Sequence, residues 1–273
     1  MRAPRPIGEL PCEDAASIRY VLFDIDDTIT QGGLLPESSF SALWALRRAG
    51  LAAIPVTGRP AGWCDLIARQ WPVAGVVGEN GAFAFYMKGE RLERLFHPAA
   101  PAPDSSRERL MGLAASVITA VPGLRLAKDQ AYRLFDVALD FAEEPPILPL
   151  EAAERAKAVC EAAGARAKIS SIHVNAWFGD YDKLSMSEIF LSRILGWEPI
   201  VSSRAAIFFG DSPNDEPMFG RFELSCGVAN IGRFLGIMEK MPAYITEKPF
   251  GEGFAEGCRR VLDARAGMRE ERC

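Results

Sequence analysis

Three apolar runs, RYVLFDI (19–25), LAAIPVTGR (51–59) and AAIFFGDS (205–212), end in small or acidic residues and are separated by amphipathic stretches. This alternation most constrains the fold. SSFSALWALRRAG (38–50), AGWCDLIARQW (61–71) and KLSMSEIFLSRILG (183–196) carry helical periodicity, the first closed by Gly50. A further run, VAGVVGENGA (73–82), ends in a Gly/Asn turn. Strands that alternate with helices imply a parallel sheet covered on both faces, hence an α/β fold with a Rossmann-like core.

The rhythm changes in the middle of the chain. AFAFYMKGERLERLFH (82–97) reads as a hairpin turning near Lys88-Gly89. Helix is expected over 107–121 and 150–165, and strand over 131–141 and 166–178. The expected division is therefore discontinuous: 1–82 and 182–273 form the core, and 83–181 an inserted α+β unit. Beyond it, 215–222 starts a helix, 224–230 makes a short strand and 253–266 a closing helix. GEGFAEG (251–257) follows no convincing strand, so its glycines read as turn residues and not as a dinucleotide loop.

Charge and composition exclude several partners. A net charge of −5 argues against nucleic acid or an anionic membrane surface as the main partner. No apolar run reaches the ~20 residues that a membrane helix needs. The six cysteines contain no C-x-x-C pair and there are two histidines, so zinc is not expected. Scattered thiols and a polar, proline-broken start fit a cytoplasmic protein, monomer or homodimer.

FDIDDTIT (23–30) crowds aspartates behind an apolar strand, and GDSPNDE (210–216) repeats the arrangement. If the first strand runs far enough, Asp24 and Asp26 share a face. Together with Asp211 and Asp215 they would meet at the carboxyl edge of the sheet, where open α/β sheets bind ligands. Either cluster alone is equally explained by turn-forming and helix-capping aspartates. Two such clusters call for a compensating cation, and oxygen donors without His or Cys indicate Mg²⁺.

The same residues carry a resemblance. DIDDT (24–28) resembles the D-x-D-x-T signature of the haloacid dehalogenase-like (HAD) phosphohydrolases. VTGR (56–59) is similar to that superfamily's second motif, Lys183 to its third and GDSPND (210–215) to its fourth. All four stand in the family's order. Taken singly, Thr57 is also readable as a helix cap and Arg59 as a helix-surface residue, while Lys183 alone reads as a solvated lysine. The resemblance implies an Mg²⁺-dependent phosphatase that acts through an aspartyl-phosphate. In it Asp24 is the nucleophile and Asp26 the general acid and then base. Thr57, Gly58, Arg59, Lys183 and Asn214 would contact the phosphorylated substrate. Asp24, Asp26 (through its carbonyl), Asp211 and Asp215 (largely through water) would hold the metal.

The insert's position, with GENGA (78–82) leading into it, resembles the C2-type cap of class IIB. Sucrose-phosphate, mannosyl-3-phosphoglycerate and Cof-like enzymes populate that branch, which implies a sugar or polyol phosphate. Lys128, Arg133, His173, Asn175 and Trp177 are the cap's candidate contacts. A phosphomutase or phosphotransferase of the same superfamily, and a non-catalytic phosphate-binding protein, are the alternatives. A two-component receiver also gathers aspartates with a Thr and a Lys, but it is far shorter and has no insert.

Overall fold

The computed structural model describes residues 3–199, 203–236 and 238–270. In chain order the elements are β1 (Arg5–Pro6), α1 (Cys12–Ser17), β2 (Tyr20–Phe23), α2 (Glu37–Arg48), β3 (Ala52–Pro55), α3 (Ala61–Gln70) and β4 (Val76–Gly78). Then come β5 (Phe83–Lys88), β6 (Arg91–Phe96), α4 (Pro103–Ala120), β7 (Arg125–Leu126), β8 (Asp136–Asp140), α5 (Leu150–Ala162), β9 (Arg166–Ile169) and β10 (His173–Trp177). The last are α6 (Lys183–Leu195), β11 (Ala206–Gly210), α7 (Glu216–Arg221), β12 (Leu224–Gly227), β13 (Tyr244–Ile245) and α8 (Phe250–Glu270).

Two units divide the chain. The first is Met1–Val56, Gln70–Val76 and Glu188–Cys273, and the second is Thr57–Arg69 and Val77–Ser187.

The first unit is built on a six-stranded sheet in the order β1-β13-β12-β11-β2-β3, with every pairing parallel. Its central strands are continuous apolar runs because both faces are covered. All five residues of β11, AIFFG, are buried. On one face Phe254 of α8 packs against Phe23 of β2 and Phe209 of β11, with ring centroids 4.9 and 5.4 Å apart. From β2 the chain leaves to β3 on one side, and β11 approaches from the other. This is a topological switch point, and open α/β sheets place their ligand crevice at its carboxyl edge.

The second unit has two sheets. A four-stranded antiparallel sheet, β7-β8-β10-β9, is covered by α4 and α5. Leu110, Val117, Val137, Leu139, Ala153 and Val174 belong to its core. The other sheet, β4-β5-β6, contains the expected hairpin, in which Lys88 pairs with Arg91 around the turn.

Three sequence expectations need correction. The first strand stops at Phe23, so Asp24 lies just past its end, Asp26 lies in the turn that follows, and the shared-face geometry does not apply. Residues 166–178 form two strands, β9 and β10, because Ser170 breaks the run and receives the amides of Ile172 and His173. The glycines of 251–257 lie inside α8 and not in turns. There a Cβ on Gly251 would sit 2.2 Å from Ser39 Oγ and one on Gly257 2.3 Å from the Phe209 ring, so close packing selects them.

No helix among the described residues is long and apolar enough to cross a membrane. The five described cysteines are free thiols, and Cys273 lies outside the described residues.

Candidate active site

The acidic groups come together at the carboxyl ends of β2 and β11. The chain leaves β2 with the Asp24 amide still donating to Phe209 O at 3.0 Å, which fixes Asp24 beside β11. A tight turn follows. The amides of Thr28, Ile29 and Thr30 all reach Ile25 O, and the Asp27 amide donates to Thr30 Oγ1 at 3.1 Å. Asp27 takes a positive φ of 59° to make it. That turn brings the buried Thr28 hydroxyl to Asp211 Oδ1 at 3.1 Å. From the other side Asp215 Oδ2 accepts the Asp211 amide at 3.2 Å. Gly210 makes room for this, since a Cβ there would lie 2.5 Å from Asp215 Oδ2.

Asp24, Asp211 and Asp215 are all buried, and each offers a carboxylate oxygen within 4.8 Å of the others. Asp26 is half-buried, two residues further along the turn. Like charges at this spacing repel by about 3 kcal/mol a pair at an effective dielectric near 20. The Thr28 hydroxyl contributes roughly 1.5–3 kcal/mol to a charged acceptor, less than the repulsion of the three pairs together. Burial first, then Asp215, Asp24 and Asp27, push the Asp211 carboxyl well above its ordinary range. Its Oδ2 is buried and has no hydrogen-bond partner among the described residues. A buried, orphaned carboxylate oxygen among other carboxylates fits a hard divalent cation. The donor set alone does not distinguish which one.

Thr57 and Lys183 belong to the second unit. Thr57 is fully buried: its amide donates to Val77 O at 2.9 Å and its Oγ1 accepts the Arg59 amide at 3.0 Å. Lys183 is buried and opens α6, which starts there because Asp182 and Ser185 cap it reciprocally. Asp182 Oδ1 accepts the Ser185 amide at 2.8 Å, and Ser185 Oγ accepts the Asp182 amide at 3.1 Å. Asn214 sits in the turn before α7, its Oδ1 taking the Ser212 hydroxyl at 2.8 Å.

Comparison with known structures places this architecture. The chain is similar to the C-terminal domain of a C. albicans trehalose-6-phosphate phosphatase, at 13% identity and a TM-score of 0.69 over 96% of this chain and 98% of that one. It is similar to a HAD subclass IIB sugar phosphatase, at 16% identity and 0.61 over 88% and 98%. A third is the Synechocystis sucrose-phosphatase solved with sucrose and phosphate, at 14% and 0.60 over 89% and 97%. The fold is that of the HAD phosphohydrolases. No protein-family profile matches the chain, and no curated protein does either.

Within this HAD-like fold the cap candidates separate. Lys128 is exposed and pairs with Glu144 at 2.7 Å. Trp177 is core, its Nε1 donating to Tyr181 O at 3.2 Å. Arg133 is a buried hub that holds Asp129, Asp136 and the carbonyl of Gly58. Asn175 donates to Asp136 Oδ2 at 3.2 Å. His173 Nε2 lies 2.8 Å from Glu143 Oε2, and Glu143 Oε1 lies 2.8 Å from Arg59 Nη1. Arg59 in turn stacks over Trp63 at 4.4 Å.

Sequence reasoning missed several of these groups. Thr28 stands as the last letter of the first motif, and the sequence alone assigns it no role. Glu79 lies inside GENGA, where it is buried and accepts the amides of Ala61, Leu134, Phe135 and Asp136. Burial pushes its carboxyl up to about 8, against those amide donors. Arg233, 3.7 Å from Asp211 Oδ2, stands in a segment with no periodic or motif signal.

Proposed function

We propose that the chain is a Mg²⁺-dependent phosphatase that hydrolyses a small phosphomonoester, a sugar or polyol phosphate, through an aspartyl-phosphate. The observation that carries this reading is the buried triad of Asp24, Asp211 and Asp215 with the orphaned Asp211 Oδ2. The fold shared with trehalose- and sucrose-phosphate phosphatases supports the substrate class. The proposed division is a catalytic core, 1–82 and 182–273, and a C2B cap, 83–181. The free thiols suit a cytoplasmic protein, and the proposed state is a monomer or homodimer.

In this mechanism an Asp24 carboxylate oxygen attacks phosphorus and the bond to the substrate oxygen breaks. Asp26, as the acid, gives that oxygen its proton. As a carboxylate it then takes a proton from water, which attacks phosphorus and releases phosphate and Asp24. Thr57, Gly58, Arg59, Lys183 and Asn214 bind and orient the phosphoryl group. Asp24, Asp211, Asp215 and the Asp26 carbonyl would hold the cation. Bound there, it screens the phosphoryl charge from the anionic nucleophile.

The test is phosphate release from sugar phosphates and p-nitrophenyl phosphate, with Mg²⁺ or chelator, for wild type and Asp24→Asn. Release should need Mg²⁺ and fall by about 10³-fold or more in the variant. An isomeric phosphate product in place of free phosphate would convert the reading to a mutase. No turnover by folded wild type would sink it.

A further inference from the structure

We infer that Arg233 is a resident counter-charge of the acidic triad, and that it competes with the divalent cation and so sets the metal affinity. The inference rests on the metal part of the reading above.

Arg233 closes the short 3₁₀ segment Ala229–Arg233 that follows β12. Its Nη2 lies 3.7 Å from Asp211 Oδ2 and 3.4 Å from Asp27 Oδ2. The first distance is an ion pair and exceeds a hydrogen bond. The guanidinium therefore offsets charge at Asp211 Oδ2 without satisfying that oxygen, which has no hydrogen-bond partner among the described residues. The two ends of the contact differ in environment. The Arg233 side chain is 50% exposed, whereas that of Asp211 is 1% exposed. The partner with room to move is thus the arginine.

The backbone beneath it is held. Asn230 Nδ2 donates to Asp27 O at 2.9 Å, and Asn230 Oδ1 accepts the Phe250 amide at 2.8 Å. The Ala229 amide donates to Thr246 Oγ1 at 3.1 Å. The guanidinium also lies over the Phe234 ring at 4.6 Å. Arg233 accordingly has somewhere to go when a cation arrives. It can keep Asp27 and Phe234 and give up Asp211, moving on its side-chain torsions alone. Until then it relieves part of the repulsion among Asp24, Asp27, Asp211 and Asp215. Uptake of a divalent ion must displace or oppose this charge, so wild-type affinity is weaker than the carboxylates alone would give.

Calorimetric titration of Mg²⁺ into wild type, Arg233→Gln, Arg233→Met and Arg233→Lys, without substrate, tests this. The two neutral variants should bind Mg²⁺ about three- to tenfold more tightly, and the gap should narrow at high salt. Arg233→Lys should stay near wild type. Without metal, the neutral variants should melt a few degrees lower, and Mg²⁺ should restore them. Unchanged or weaker binding in both neutral variants, with the fold intact, overturns the inference while the metal reading stands. A folded wild type that takes up neither Mg²⁺ nor Mn²⁺ overturns both.

Discussion

At the residue scale the site depends on a few close approaches. Gly210 is the clearest, because any Cβ would collide with Asp215 Oδ2 at 2.5 Å. Gly210→Ala should leave the sheet folded but displace Asp215. Phosphate release should drop about 10²-fold and Mg²⁺ binding should weaken, as read by steady-state kinetics and calorimetry. Thr28→Val removes the hydroxyl that donates to Asp211 Oδ1. It should cost about 1–3 kcal/mol in denaturant unfolding without metal, and less with Mg²⁺ bound. The gathering of Asp24, Asp211 and Asp215 was legible because both acidic clusters directly follow apolar strands. Arg233 was not legible. Its role comes from reaching across space to Asp211, and no local pattern encodes that reach.

At the scale of elements, Glu143 ties the segment after β8 to Arg59, which precedes α3, and to His173 of β10. The hydrogen bond with His173, then the charge of Arg59, hold its carboxyl down at about 2, against an ordinary 4.5. A depressed carboxylate contributes stability that is complete above its unfolded-state pKa and is lost as pH falls through the folded one. Wild type should therefore lose about 1 kcal/mol more than Glu143→Gln as pH falls from ~4.5 towards 2, after allowance for solvent screening at this half-buried pair. Urea unfolding across that range measures it. Alternating strands and helices were readable along most of the chain because their periods are local. The start of α8 was not, because its glycines answer to Ser39 and Phe209, distant in sequence. Gly257→Val, which would press on the Phe209 ring, should destabilise the fold by about 1–3 kcal/mol in thermal unfolding.

At the scale of the whole molecule, the sheet order β1-β13-β12-β11-β2-β3 could not be read from the sequence. Apolar runs announce strands but not neighbours, and β2 takes one from near and one from far. Its near partner is β3, and its far partner is β11, with Phe23 opposite Phe209. A fragment ending at residue 205 lacks β11, so circular dichroism and sedimentation should find it unfolded or aggregated. The same pairing sets an order of events during synthesis. The ribosome makes Asp24 well over a hundred residues before the strand that positions Asp211 and Asp215. Until then β2 presents an open edge to its surroundings, a template for pairing with other chains. The acidic triad cannot assemble before residue 215 is made, and over the interval between residues 23 and 210 this edge of β2 has yet to meet its far partner.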